Sequence, residues 1–190
     1  MRIFMEETKK NILRAIAGES MARNKYTYFA SKARKEGLEQ IAAFFEETAD
    51  NEKEHAKRLM KLLDGPTESS LENFSFPVVE STSKNLEVAA AGENFEYTKM
   101  YPQFAEIAKK EGIAEAAKVF TEIGEIEEKH EKRYLKLKKN LEDGSVFKRD
   151  TQVYWKCRNC GYVHLGTEAP DTCPACAHPQ AFFELLSENY

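Results

Sequence analysis

Residues 29–55, FASKARKEGLEQIAAFFEETADNEKEH, lie over residues 104–130, FAEIAKKEGIAEAAKVFTEIGEIEEKH, at an offset of 75 positions. The opening phenylalanine, the KEG triplet, a later phenylalanine and the closing Glu and His all recur. A chain built from two copies of one unit must find an arrangement in which both copies bury the same face, and this constrains the fold more than composition does. Upstream, AGE at 17–19 recurs at 91–93, but at an offset of 74, so the second copy carries one residue more between its glutamate and its FA dipeptide. A helix that must absorb one residue does so with a π-type bulge, which we expect downstream of Glu96, near Pro102.

Each copy reads as two helices. Ile12, Ala15, Ile16, Glu19, Ala22, Tyr26 and Phe29 recur at helical spacing, as do Ile41, Phe44, Phe45, Thr48, Glu52, His55 and Leu59. Gly37 after KARKE and Gly112 after AKKE mark the turns within the copies. Two further helices are expected over about 83–111 and 113–143. The stretch between the copies, 64–82, holds glycine, two prolines and several serines and reads as a long surface crossover, packed through Phe74, Phe76 and Val78. Two αα-hairpins joined by one long crossover give the connectivity of a ferritin-like four-helix bundle, with a pseudo-twofold axis implied by the duplication.

The duplicated polar residues carry chemistry. Glu52 with His55 and Glu127 with His130 are Glu-x-x-His pairs, whose side chains share a helix face, and Glu19 and Glu93 add one glutamate from each remaining helix. One Glu from each of two helices plus Glu-x-x-His from each of the other two is the ligand arrangement of di-iron and di-manganese bundles. Carboxylates can bridge two cations, while neutral imidazoles cap them and leave positions open. Tyr26 and Tyr101 lie within two turns of a glutamate and could hydrogen-bond a ligand or a bound peroxide; Tyr28, Tyr97 and Tyr134 read as ordinary tyrosines. Glu46, Glu47, Glu54, Glu122, Glu125 and Glu128 read as surface charges, and Phe29, Phe45, Phe104 and Phe120 as core.

All four cysteines fall near the C-terminus, as CRNC (Cys157, Cys160), twelve intervening residues, and CPAC (Cys173, Cys176). Paired Cys-x-x-Cys turns of this kind present thiolates to one tetrahedral ion. A module of this size needs such a staple. Zinc and iron both fit four thiolates, and only iron passes electrons. Tyr154, Trp155, Tyr162, Phe182 and Phe183 are expected to form its aromatic core. Gly161 suits the tight turn after the first cysteine pair, Ala177 stands in the matching place after the second, and His164 and His178 read as surface residues. We place the bundle at 1–146 and a linker plus metal module at 147–190, with DGSVFKRDTQ (143–152) as the connection.

A net charge of −4 with interleaved lysines and glutamates offers no basic stripe for nucleic acid. The longest apolar run, IAAFF at 41–45, is too short for a bilayer, and MRIFMEETKK is not a secretory signal, so the expectation is a cytoplasmic protein without a membrane partner.

From AGESMARNKYTYFA through ETADNEKEHA, AGENFEYTKMYPQFA and EIEEKHEKRY to CRNCGYVHLGTEAPDTCPACAHPQAFFELL, the chain resembles the rubrerythrin family. The resemblance implies a mainly α protein, a ferritin-like bundle with a small C-terminal rubredoxin-like metal-binding domain. It implies two non-haem iron ions held by Glu19, Glu52, His55, Glu93, Glu96, Glu127 and His130, with Glu52 and Glu127 bridging. One further iron is implied at Cys157, Cys160, Cys173 and Cys176, where zinc can enter a recombinant preparation. The implied activity is a di-iron peroxidase that reduces hydrogen peroxide to water in oxidative stress defence. Its electrons would come from NADH through an external reductase or rubredoxin, in a homodimer or higher homo-oligomer. Glu96, the counterpart of Ala22 and so the residue that breaks the symmetry, would exchange with His55 at one iron; Glu96, His55, Tyr26 and Tyr101 are the implied catalytic residues. An iron-oxidising ferritin-like role or a dioxygen-reducing oxidase is the alternative reading.

Overall fold

The computed structural model describes residues 6–69 and 75–189. Helices α1 (Glu6–Lys35) and α2 (Glu39–Met60) form one hairpin. The second hairpin pairs α5 (Ala114–Glu142) with a rod made of α3 (Thr82–Phe95), a π-helical turn (Glu96–Met100) and α4 (Tyr101–Lys110). The extra residue of the second copy is therefore absorbed at 96–100, starting at Glu96 itself, as the one-residue change of offset requires.

Both hairpin turns close in the same way. At the end of α1 the Leu38 and Gly37 amides donate to the Ala33 and Arg34 carbonyls at 3.0 Å each; at the end of α4 the Ile113 and Gly112 amides donate to Ala108 and Lys109 at 2.9 and 3.1 Å. Both glycines sit in the left-handed region, at φ +74° and +76°, where a Cβ is disfavoured. The start of α3 is fixed by the Ser81 hydroxyl, which accepts from the Lys84 amide, and by Glu36 beside Gly37, which accepts from the Thr82 amide at 2.9 Å.

Two apolar clusters fill the bundle, and the repeat maps one onto the other. Tyr26, Phe29, Ala33, Ile41, Phe45 and Leu86 in the first correspond to Tyr101, Phe104, Ala108, Ala116, Phe120 and Ile12 in the second. The expected helix faces are buried, with Ile16 and Phe44 partly so. The crossover behaves differently: Phe74 lies outside the described residues, Phe76 packs edge-on against Tyr28 but stays half exposed, and Val78 is 74% exposed.

The C-terminal module is a three-stranded antiparallel sheet in the order β2-β1-β3, from β1 (Lys148–Cys157), β2 (Val163–Glu168) and β3 (Phe183–Leu185). Residues 148–152, expected as linker, already belong to β1. Phe147 packs against both the helical core and the module's core, and its carbonyl accepts from the Ala169 amide at 2.8 Å. Trp155 and Phe183 fill the module, with Tyr162 and Phe182 partly buried. Tyr154 is exposed, because successive strand residues point to opposite faces and Trp155 takes the inner one. The Trp155 indole donates to the Gly166 carbonyl at 3.0 Å. His164 and His178 are each half-buried rather than free on the surface; His178 lies edge-on to Phe182 with centroids 4.6 Å apart.

Candidate metal centres

Between the two apolar clusters the bundle buries Glu19, Glu52, His55, Glu93, Glu127 and His130, none more than 8% exposed. Their donor atoms form two overlapping sets: Glu19, Glu52, His55 and Glu127 in one, and Glu52, Glu93, Glu127 and His130 in the other, with all donors of a set within 4.8 Å of one another. The repeat exchanges the sets, and Glu52 and Glu127 belong to both. Either carboxylate is therefore within reach of both donor sets.

The Nδ1 atom of His55 lies 2.9 Å from Glu52 Oε2, 3.1 Å from Glu127 Oε1 and 3.6 Å from Glu19 Oε2. The Nδ1 atom of His130 lies 2.7 Å from Glu127 Oε2 and 3.5 Å from Glu52 Oε1. One imidazole proton cannot serve several carboxylates, and Glu19 Oε2, Glu52 Oε1, both Glu127 oxygens and His130 Nδ1 remain buried without a hydrogen-bond partner. Groups buried this way cost several kilocalories per mole unless a cation joins them, on the order of 1–3 kcal/mol for each. Two metal ions satisfy the whole set.

Electrostatics says the same. Burial, followed by repulsion from Glu52, raises the Glu19 and Glu93 carboxyls well above the ordinary range. Burial also works against ionising Glu52, but the imidazoles of His130 and His55 beside it overcome that and hold the carboxyl down to about 2. Burial opposes charging of His130, yet Glu127 and Glu52 raise it to about 9; His55 is raised further by Glu127, Glu19 and Glu52. Without metal, protons do the work of the missing cations.

The tyrosines cross between the copies. Tyr26 of α1 donates to Glu93 of α3, and Tyr101 at the head of α4 donates to Glu19 of α1, so each steadies the glutamate of the opposite copy rather than the one nearest in sequence. Glu96 lies outside both ligand sets, on the wall of a cavity between α1 and the α3–α4 rod. Burial and the charges of Glu127 and Glu52 push its carboxyl up to about 8, against the pull of Lys25 and His55. Asn51 was not distinguished by sequence: its Oδ1 lies 3.3 Å from His130 Nε2, which places that ring's proton on Nε2 and frees Nδ1 for metal. Its counterpart in the repeat is Ile126, so duplication gives no signal for it. Surface charges behave as read: Glu46 pairs with Arg34, Glu47 with Arg133, Glu54 with Lys57 and Glu128 with Lys132.

In the small module, Cys157 and Cys176 sulfurs lie 3.8 Å apart and Cys160 and Cys173 3.6 Å apart, and all four form one cluster. The two knuckles match: the Gly161 amide donates to Cys157 O at 2.9 Å and the Ala177 amide to Cys173 O at 2.8 Å. A hydrogen bond from the His178 amide lowers the Cys176 thiol to about 6, favouring the thiolate a metal needs. Ala177 takes a left-handed conformation, φ +59°, alone among the described non-glycine residues.

Bundle and sheet thus define a ferritin-like di-iron carboxylate protein carrying a rubredoxin-like four-cysteine site. Comparison with known proteins gives the family: the rubrerythrin profile matches residues 10–138, and that of the rubrerythrin rubredoxin-like domain matches 155–184. The chain belongs to the rubrerythrin family, whose members are generally oxidoreductases. It is 54% identical over 184 residues to a rubrerythrin of Porphyromonas gingivalis, covering 97% of this chain and 92% of the relative. It is also 54% identical over 183 residues to the rubrerythrin of Nitratidesulfovibrio vulgaris, covering 96% of each. Among solved structures, fully reduced, all-ferrous nigerythrin is similar with a TM-score of 0.63 at 35% identity, over 94% of this chain and 86% of the other. A Mycobacterium tuberculosis bacterioferritin, at 16% identity and a TM-score of 0.64 over 72% of this chain and 87% of the other, shares the fold alone.

Proposed function

We propose that the protein is a non-haem di-iron peroxidase that reduces hydrogen peroxide to water in oxidative stress defence. The observation that carries this reading is the coexistence, in one chain, of two ligand sets sharing Glu52 and Glu127 with a separate four-thiolate site. Splitting peroxide into two waters takes two electrons and two protons. A ferrous pair bound there would supply both electrons within one site, and a four-thiolate iron would suit its refilling one electron at a time.

The residues of the chain do the rest. Glu19, Glu52, His55, Glu93, Glu127 and His130 hold the pair; Tyr26 and Tyr101 fix Glu93 and Glu19 and exclude water; Asn51 sets the His130 tautomer. Glu96, poised on the cavity wall, would be the seventh ligand, competing with His55 for one metal position. Cys157, Cys160, Cys173 and Cys176 would hold an iron able to relay electrons from an external NADH-dependent reductase or a rubredoxin. Among the described residues no helix is long and apolar enough to cross a membrane. We take the working unit to be a homodimer or larger.

Rapid mixing of the fully reduced protein with hydrogen peroxide, and separately with dioxygen, tests the reading by following both iron chromophores. Peroxide is expected to oxidise both centres faster. Faster oxidation by dioxygen makes the protein an oxidase, and iron uptake without peroxide turnover makes it a ferroxidase.

A further inference from the structure

The cavity that Glu96 borders has a volume of about 610 Å³. Gly18 and Gly92 line it, each directly preceding a buried ligand glutamate, as do Ala22 and its counterpart Glu96, so it sits on the pseudo-twofold axis between α1 and the α3–α4 rod. Hydrogen peroxide is only slightly larger than water, whose share of liquid volume is roughly 30 Å³. The cavity falls instead among sites that enclose whole organic ligands, roughly 300–1,000 Å³.

Its walls are chemically divided. Met21, Phe76, Phe95, Met100 and Phe104 give it a broad apolar surface, and Phe76 and Phe95 are 49% and 53% exposed without an apolar partner to cover them fully. The polar part is Glu96 with Lys25, together with Arg14, Ser75, Lys99 and Gln103. The Lys25 ammonium stands 3.5 Å from where a Cβ on Gly92 would lie, one helical turn before Glu96 on the same face, and 4.7 Å from the centre of the Tyr26 ring. Filling such a space with water alone leaves apolar area wet at a cost of about 25 cal/mol per Å². An apolar body with one oxygen-bearing end matches both surfaces.

Building on the peroxidase reading, we propose that this cavity admits apolar organic hydroperoxides, the alkyl or aryl body lying against Met21, Phe76, Phe95 and Phe104 and the hydroperoxide group facing Glu96 and Lys25. The reaction is ROOH + 2 e⁻ + 2 H⁺ → ROH + H₂O. The O–O bond breaks, the distal oxygen leaves as water and the carbon-bound oxygen as alcohol. The electrons come from the reductant of the peroxide reaction, the ferrous pair recharged through the four-thiolate iron, and the protons from solvent.

Two measurements test this. Calorimetry of the full-length, zinc-loaded protein with 2-phenyl-2-propanol, the unreactive alcohol product of cumene hydroperoxide, is expected to show saturable binding that Met21→Trp weakens at least tenfold. With the iron-loaded protein, Met21→Trp is expected to lower the ratio of kcat/KM for cumene hydroperoxide to that for hydrogen peroxide at least tenfold. Phe95→Ala, at a half-exposed position, is expected to shift both readings in the same direction and serves if the tryptophan variant fails to fold. Turnover of hydrogen peroxide without turnover of cumene hydroperoxide overturns the inference and leaves the peroxidase reading standing, whether or not the alcohol binds. Failure with both peroxides overturns the peroxidase reading and this inference with it.

Discussion

At the residue scale, the buried cluster is a store of protons whenever metal is absent, and that makes a pH prediction with a definite sign. The carboxyls of Glu19, Glu93 and Glu96, the last at about 8, are raised in the folded chain, and His130, at about 9, and His55 are raised as well. Between about pH 5 and 8 the folded metal-free site therefore holds more protons than the unfolded chain, whose carboxyls and imidazoles lose theirs near 4.3 and 6.5. Stability must fall as pH rises through that window. Glu52, depressed to about 2, contributes stability that is constant there and is lost only in acid. Urea unfolding of chelator-stripped protein is expected to show a lower midpoint at pH 8 than at pH 5.5, with iron or zinc loading removing the trend; a midpoint that rises with pH in the stripped protein contradicts the assignment. Ala177 offers a second test. Its left-handed backbone costs roughly 1 kcal/mol that glycine would not incur, so Ala177→Gly is expected to stabilise the loaded small module by about that amount in thermal unfolding. A loss of stability would show that the methyl group has a packing role.

At the scale of elements, the π-helical turn is where the duplicated halves stop being equivalent. Glu19 precedes Tyr26 by seven residues and Glu93 precedes Tyr101 by eight, yet both tyrosines reach the glutamate of the opposite copy. The added residue, taken up in the π-helical turn that begins at Glu96, lets Glu93 and Tyr101 keep their symmetric places. Deleting Thr98 restores the seven-residue spacing and is expected to straighten the rod and re-aim the Glu96 side chain. Two irons should still bind, because the six symmetric ligands remain, but peroxide turnover should drop at least tenfold; turnover equal to the parent would remove Glu96 from the reaction. Much of this was legible beforehand because the repeat reports identity and register together: it marked the six buried candidate ligands, both glycine turns and the inserted residue. The tyrosine crossing was not legible, since a single chain's periodicity gives the face of a helix but not which neighbour it meets. Asn51 and Lys25 escaped because their importance comes from a partner on another helix. Val78 and Tyr154 were misplaced because an apolar residue in an extended segment carries no sign of which side faces water.

At the scale of the whole molecule, the question is how electrons cross from the cysteine site to the bundle. Phe147 joins the two cores, and Gly37 approaches Ala181 so closely that a Cβ there would lie 3.7 Å from its methyl group. The small module thus rests at the Gly37 end of its own bundle. Along α2, Glu52 lies fifteen residues beyond Gly37 and His55 three further, which at ~1.5 Å per residue separates the contact from the ligands by more than about 20 Å of helix. A second copy can offer its module to the bundle without that constraint, and we therefore propose transfer between subunits. Mixing two inactive variants decides the matter. Cys160→Ser keeps the bundle but loses the relay, whereas Glu52→Ala keeps the relay but loses a shared ligand of both metal sets. If each module serves a neighbouring bundle, co-refolded mixtures regain reductase-driven peroxide turnover, to about a quarter of the parent rate for random pairing in dimers, since half the dimers are mixed and each holds one competent bundle facing one competent relay. If each module serves only its own bundle, every chain in the mixture is broken in one half of its path and turnover stays at the level of the separate variants.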